Sequence, residues 1–151
     1  MLSRFNSVSK LNSIFRQPLR NLSLQEYQSK SLLQQHNVNI QKFRVLDSAS
    51  DRSSLNEFRA SEYVIKAQVL AGGRGKGHFD NGFKGGVHIT KKLDDVFDLA
   101  GKMVGNRLIT EQTPKEGIIV NKVMVAESVN IVRETYLCIL LDRQHNGPVL
   151  V

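Results

Sequence analysis

The sequence predicts a mixed α+β (α/β) fold, on three observations. Amphipathic stretches with helical spacing alternate with short β-branched runs, a glycine-dense segment interrupts the middle of the chain, and the second half is mostly strand-like. With 151 residues the chain can build one domain of ordinary size. Its composition, 40% hydrophobic and 23% charged, is that of a globular protein, with no apolar run long enough for a membrane span.

The formal charge of +7 invites a nucleic-acid reading, but the charge is unevenly placed. Residues 1–21 hold Arg4, Lys10, Arg16 and Arg20 and no acid, and Glu26 is the first carboxylate. That segment is rich in Ser and Asn and carries Leu2, Phe5, Val8, Leu11, Ile14 and Phe15 at near-helical spacing, the pattern of a mitochondrial transit peptide. A disordered basic tail is the plainer alternative, and a secretory signal lacks its continuous apolar core. Residues 1–21 are therefore expected to be a targeting segment, 22–151 the domain, and the mitochondrial matrix the destination. Cys138 is the only cysteine, so no intramolecular disulfide forms, and Tyr136–Leu141 predicts it as a small buried side chain in a strand.

Along the chain, Ser23 and Glu26 have the spacing of a capping box and predict a helix from about Leu24 to His36, ended by Asn37. Val38, Ile40, Phe43 and Val45 predict an extended stretch, and Leu55 and Phe58 mark the apolar face of a second helix between about Ala49 and Ala60. Tyr63–Leu70 reads as a strand that presents Lys66 and Gln68 among apolar neighbours. Gly72–Gly86 holds seven of the eleven glycines, which predicts a loop or tight hairpin. Val87–Thr90 resumes a strand, and Leu93, Val96, Phe97, Ala100, Met103 and Val104 line one face of a helix closed by Gly105. Strands are predicted over Ile118–Ala126 and Thr135–Leu141.

Chemistry concentrates in Val64–Gly77. Polyphosphate binding needs backbone N–H groups that can close on an anion without a Cβ in the way, together with fixed cations. Gly73 and Gly75 interleaved with Arg74 and Lys76 supply both, and Lys66 on the preceding strand adds a cation that the sheet positions. The segment is neither a Walker loop, since Leu70 and Gly77 stand where Gly and Ser/Thr are required, nor a dinucleotide fingerprint, since His78 replaces its last glycine. On the residues alone a solvated hairpin, or a basic RNA-contacting loop flanked by Phe79 and Phe83, competes with phosphate binding.

The string Val64–Gly77 (VIKAQVLAGGRGKG), followed by Gly82–Val87, resembles the matching segment of succinate–CoA ligase beta subunits, members of the ATP-grasp superfamily. Leu24–Lys30 is similar to the same family's N-terminus, and Val120–Leu137 looks most like its GTP-specific branch. The resemblance implies the N-terminal part of an ATP-grasp fold, incomplete, binding GTP or GDP, with ATP or ADP as the alternative. It implies nucleotide contacts at Gln41, Lys66, Gly73, Arg74, Gly75 and Val129. Glu62 and Asn130 become candidates for base choice, Asn130 departing from the acid usual in the GTP form. The family's phosphohistidine belongs to the alpha subunit, so His36, His78, His88 and His145 are expected in surface or turn roles. The Mg²⁺ ligands and the domain that meets succinate and the alpha subunit are expected beyond Val151. A product of these residues alone is thus expected to lack ligase activity and to fold poorly, with an unpaired apolar edge where the sheet stops. No nucleic-acid or membrane partner is implied. A non-catalytic nucleotide-binding module and a basic Gly-loop RNA-binding protein remain the competing functions.

Overall fold

A computed structural model describes residues 23–151, so the targeting segment expected at 1–21 lies outside the described residues. The first helix, α1, spans Glu26–Gln35, and Asn37 follows it with φ +58°, the left-handed terminator its residue type favours. Strand β1 covers Phe43–Leu46, β2 Tyr63–Ala67, β3 His78–Phe79 and β4 Val87–Thr90. Helix α2 runs Leu93–Met103 and is succeeded by Gly105 at φ +83°. Five more strands follow: β5 Arg107–Ile109, β6 Ile118–Ile119, β7 Val123–Glu127, β8 Ile139–Asp142 and β9 Gly147–Leu150.

The main sheet is antiparallel with strand order β1-β7-β2-β4, so β2 is an internal strand. Its side chains alternate strictly. Tyr63, Ile65 and Ala67 are buried on one face, where Val123 and Val125 of β7 join the core with Val96, Phe97, Ala100 and Met103 of α2. Val64 and Lys66 point to the opposite face, beside Met124 and Ala126. A second sheet, β3-β5-β6, adds Phe79 and Leu108 to the same core. The mixed α+β class is as predicted.

Four local expectations are corrected. The helix predicted over Ala49–Ala60 is only a 3₁₀ turn at Ser53–Leu55. The Asp51 carboxylate accepts from the Ser53 hydroxyl at 2.6 Å and from the Ser54 N–H at 3.3 Å, so side chains take the backbone's place as partners while Leu55 and Phe58 still reach the core. The capping box is not Ser23 with Glu26. The Gln28 Oε1 instead accepts from the Gln25 N–H at 2.9 Å, which leaves Glu26 free to turn toward the sheet. The strand predicted over Ile118–Ala126 breaks into β6 and β7, which belong to different sheets. The corner between them is held by the Val120 N–H on Asn106 O (2.9 Å) and the Gln68 N–H on Lys122 O (2.9 Å).

The last correction concerns Thr135–Leu141, where only Ile139 onward is strand. It pairs with β9 as a separate hairpin, and Cys138 is half-buried, its N–H donating to Val151 O at 2.9 Å. Exposed apolar side chains concentrate in residues 129–151, including Val132, Tyr136, Ile139 and Leu141.

The glycine-dense segment is both loop and hairpin. Arg74–Lys76 make a 3₁₀ turn, and the Ala67 N–H donates to Gly86 O, the Gly86 N–H to Arg74 O and the Gly85 N–H to Gly77 O, each at 2.8 Å. A Cβ on Gly77 would sit 2.7 Å from the Ile109 carbonyl oxygen, a backbone atom that cannot swing aside. Gly77→Ala is accordingly expected to lower stability by about 1–3 kcal/mol, the usual range for overpacking. Urea unfolding of the variant against the parent chain measures it, and an unchanged midpoint would contradict the close approach.

A candidate nucleotide site across one face of the sheet

The site begins where β2 ends. Gly73 adopts φ +71°, a left-handed conformation open to glycine without strain, and reverses the chain into the Arg74–Lys76 turn. The Gly72 N–H is used by Gln112 Oε1 at 2.8 Å. The next three, on Gly73, Arg74 and Gly75, donate to no acceptor among the described residues. Consecutive unused amides on a left-handed to right-handed turn form an anion-binding concavity. This is the arrangement expected from the interleaved glycines.

Of the cations beside it, Lys76 is exposed and makes no ion pair among the described residues, whereas Arg74 and Lys66 are not free. Arg74 donates through Nη1 to the Ala67 carbonyl at 2.7 Å and through Nη2 to Glu26 Oε2 at 2.6 Å. The other carboxylate oxygen of Glu26 accepts from Lys66 Nζ at 3.0 Å and lies 4.0 Å from Lys30 Nζ. Burial pushes the Glu26 carboxyl upward, but hydrogen bonds from Arg74 and Lys66 and the charges of both outweigh it, and the group is held below its ordinary 4.5. Lys30 is lowered, chiefly by burial, against the opposing pull of Glu26.

From Lys30 the network continues toward the other end of the sheet. Lys30 donates to Gln41 Oε1 at 2.8 Å, and Gln41 Nε2 donates to the Glu127 carbonyl at 3.2 Å. The Ser128 N–H donates to Glu62 O at 3.0 Å, so Glu62 and the start of the 128–130 segment meet where β7 ends. Val129 and Asn130 follow directly and are exposed; the Glu62 carboxylate is 3.6 Å from Lys91.

The predicted residues thus form two groups. Gly73, Arg74, Gly75 and Lys66 gather at one end of the sheet face, and Gln41, Glu62, Val129 and Asn130 at the other. The four residue steps of β2 between them span roughly 14 Å at about 3.4 Å per residue.

Glu26, Lys30, Gln68 and Glu127 were missed by the sequence reading. Gln68, with 1% of its surface exposed, accepts the Tyr27 N–H at 3.1 Å and so holds the first turn of α1 against the end of β2. A signal for Glu26 did exist. A lysine in an internal strand needs a counter-ion, and the first acid in the chain was assigned to a cap instead. Among the histidines, His88 on β4 donates through Nε2 to Gly85 O at 2.8 Å and stacks on Phe83, while His145, in the turn between β8 and β9, lies 3.3 Å from Asp142.

The ATP-grasp domain family matches residues 23–151. The chain belongs to the ATP-grasp family. It is 57% identical over 135 residues to the mouse protein named succinate–CoA ligase (GDP-forming) subunit beta, mitochondrial, covering 89% of this chain and 31% of that protein. A Caenorhabditis elegans protein of the same name is 50% identical over 157 residues, covering all of this chain and 37% of its own length. A Blastocystis protein named succinate–CoA ligase (ADP-forming) subunit beta is 44% identical over 138 residues, covering 88% and 33%. The chain therefore spans about a third of the length of these curated relatives.

Because the folded-state carboxyl of Glu26 titrates below 4.5, its contribution to stability is complete above that value and is lost as pH falls through the lowered one. Glu26→Gln leaves Lys30, Lys66 and Arg74 without a counter-ion. Urea unfolding across pH 3–7 is expected to find the variant less stable at neutral pH, with the gap closing below about 4.5. A gap independent of pH would show that the ionised carboxylate is not what matters.

Proposed function

We propose that this chain is the nucleotide-binding portion of the beta subunit of a GDP-forming succinate–CoA ligase. The observation that carries the reading is the run of three unused amides at Gly73, Arg74 and Gly75, set beside Arg74 and the strand-fixed Lys66. Backbone donors without side-chain obstruction, close to two cations, suit the phosphates of a nucleoside di- or triphosphate. The exposed 128–130 segment, flanked by Gln41 and Glu62, suits the base at the other end of the face, with Val129 offering backbone contacts and Asn130 and Glu62 bearing on base choice.

In the whole enzyme this subunit serves the interconversion of succinyl-CoA, phosphate and GDP with succinate, CoA and GTP, alongside an alpha subunit in the mitochondrial matrix. The names of the mouse and nematode relatives support the guanine form and the mitochondrial address. Phosphoryl transfer of this kind uses Mg²⁺ on the nucleotide phosphates to neutralise charge. Among the described residues no group of three His, Cys, Asp or Glu lies together to hold a metal.

Calorimetry with Mg-GDP, Mg-ADP and a short single-stranded RNA tests the reading. Micromolar binding of GDP that Arg74→Ala abolishes is the expected result. Salt-sensitive RNA binding without any nucleotide binding would overturn it in favour of a basic Gly-loop RNA binder. For the base, Asn130→Asp supplies a carboxylate that accepts from guanine N–H donors and not from adenine N1. It is expected to raise the preference for GDP over ADP by about tenfold, the order of one charge-assisted hydrogen bond. An unchanged ratio would remove residue 130 from the base site.

A further inference from the structure

The cations that the nucleotide reading assigns to phosphate are both already bonded to one carboxylate. Glu26 places Oε2 2.6 Å from Arg74 and Oε1 3.0 Å from Lys66, with Lys30 4.0 Å away. We infer that Glu26 is an internal stand-in for phosphate, holding Arg74 and Lys66 in place until a nucleoside polyphosphate takes them over, so that binding is an exchange of one anion for another. This rests on the nucleotide reading above.

Four features of the geometry carry it. First, the cluster has three cations against the carboxylate of Glu26 and the charge of Glu127, which Lys30 also feels and whose Oε1 accepts from the Lys42 N–H. A surplus of positive charge therefore persists with Glu26 in place, and a polyphosphate carrying roughly three to four charges competes well for it.

Second, the partners can be reached from outside. The side chains of Glu26, Lys66 and Arg74 keep 25%, 24% and 20% of their surface exposed, unlike a sealed core pair. Third, the three unused amides of Gly73–Gly75 include that of Arg74 itself, so the residue whose guanidinium Glu26 holds also offers an anion a free backbone donor.

Fourth, release of Glu26 leaves the helix intact. Glu26 is the first residue of α1, where a free carboxylate is still favoured by the helix dipole, and the Gln68 bond to the Tyr27 N–H pins that turn to the sheet independently. Lys66, in an internal strand, and Lys30, half-buried on α1, would repel one another and Arg74 without an anion of some kind between them. Glu26 supplies that anion whenever nucleotide is absent.

The test is calorimetry of the 151-residue chain and its Glu26→Gln variant with guanosine, GMP, GDP and GTP. An exchange predicts that Glu26→Gln binds GDP and GTP about tenfold more tightly than the parent, the order of a partly exposed charge-assisted pair no longer broken on binding. GMP gains less and guanosine is unchanged. Glu26→Asp, with a shorter reach to the two cations, falls between and serves if the Gln variant melts below the assay temperature. Unchanged or weaker GDP and GTP binding in the variants would overturn the exchange, because Glu26 would then position the cations while phosphate is bound. An equal change across the series, guanosine included, would overturn it too, since that marks a general structural effect. Binding of no nucleotide by the parent chain sinks the nucleotide reading itself, a result distinct from the other two.

Discussion

A positively charged side chain in an internal strand is the constraint around which this half of the molecule is arranged. Lys66 sits between β7 and β4 with partners on both sides, on a face where its neighbours along the ladders are Met124 and Val87. An ammonium there is tolerable only with an anion at contact distance and a route to water. Helix α1 provides the anion in Glu26, and the cost of placing it is spread over the Gln68 bond that seats the helix and the Lys30–Gln41–Glu127 chain that ties it to the far end of the sheet.

That arrangement separates two jobs between the two faces of one sheet. The face toward α2 supplies the packing, with Ile65 and Val125 of the sheet and Val96 and Phe97 of the helix fully or almost fully buried, and carries polar side chains such as His88 and Thr90 on its β4 edge. The face toward α1 carries Lys66 among Val64, Met124 and Ala126, and the charged side chains of α1 meet it there. Because β2 alternates residue by residue, a strand that anchors the core also delivers Lys66 to the opposite side at a fixed height. The glycine turn that follows is held just as firmly, by Gly85, Gly86 and the close approach of Gly77 to β5. Its unused amides are thus presented by an ordered backbone rather than by a floppy loop, which keeps the entropic cost of closing on an anion low.

The region after β7 is built differently. Residues 131–137 are exposed throughout, and β8 and β9 pair only with each other among the described strands, with apolar side chains turned outward. A two-stranded hairpin of that kind has little stability of its own in water. The buried core, by contrast, lies between Leu46 and Ala126.

Much of this was legible in the residues themselves. The spacing of Leu93, Val96, Phe97, Ala100 and Met103 fixed α2, Asn37 and Gly105 ended the two helices, and the string from Val64 to Gly77 pointed to the family and to the loop proposed for phosphate. Those are local signals, set by side-chain periodicity and by which residues can adopt positive φ. The split of 118–126 at a corner between two sheets and the collapse of the 49–60 helix into a 3₁₀ turn were not legible. One depends on strand partners distant in sequence, the other on Asp51 and its serine neighbours outcompeting the backbone. Glu26 shows the division most sharply. Its spacing from Ser23 is that of a cap, and only the approach of Lys66 and Arg74, 40 and 48 residues away in sequence, makes it a counter-ion instead. Sequence alone determined most of the elements and the family. Tertiary structure decided which charges meet, because Coulombic and hydrogen-bond partners are chosen by distance in space.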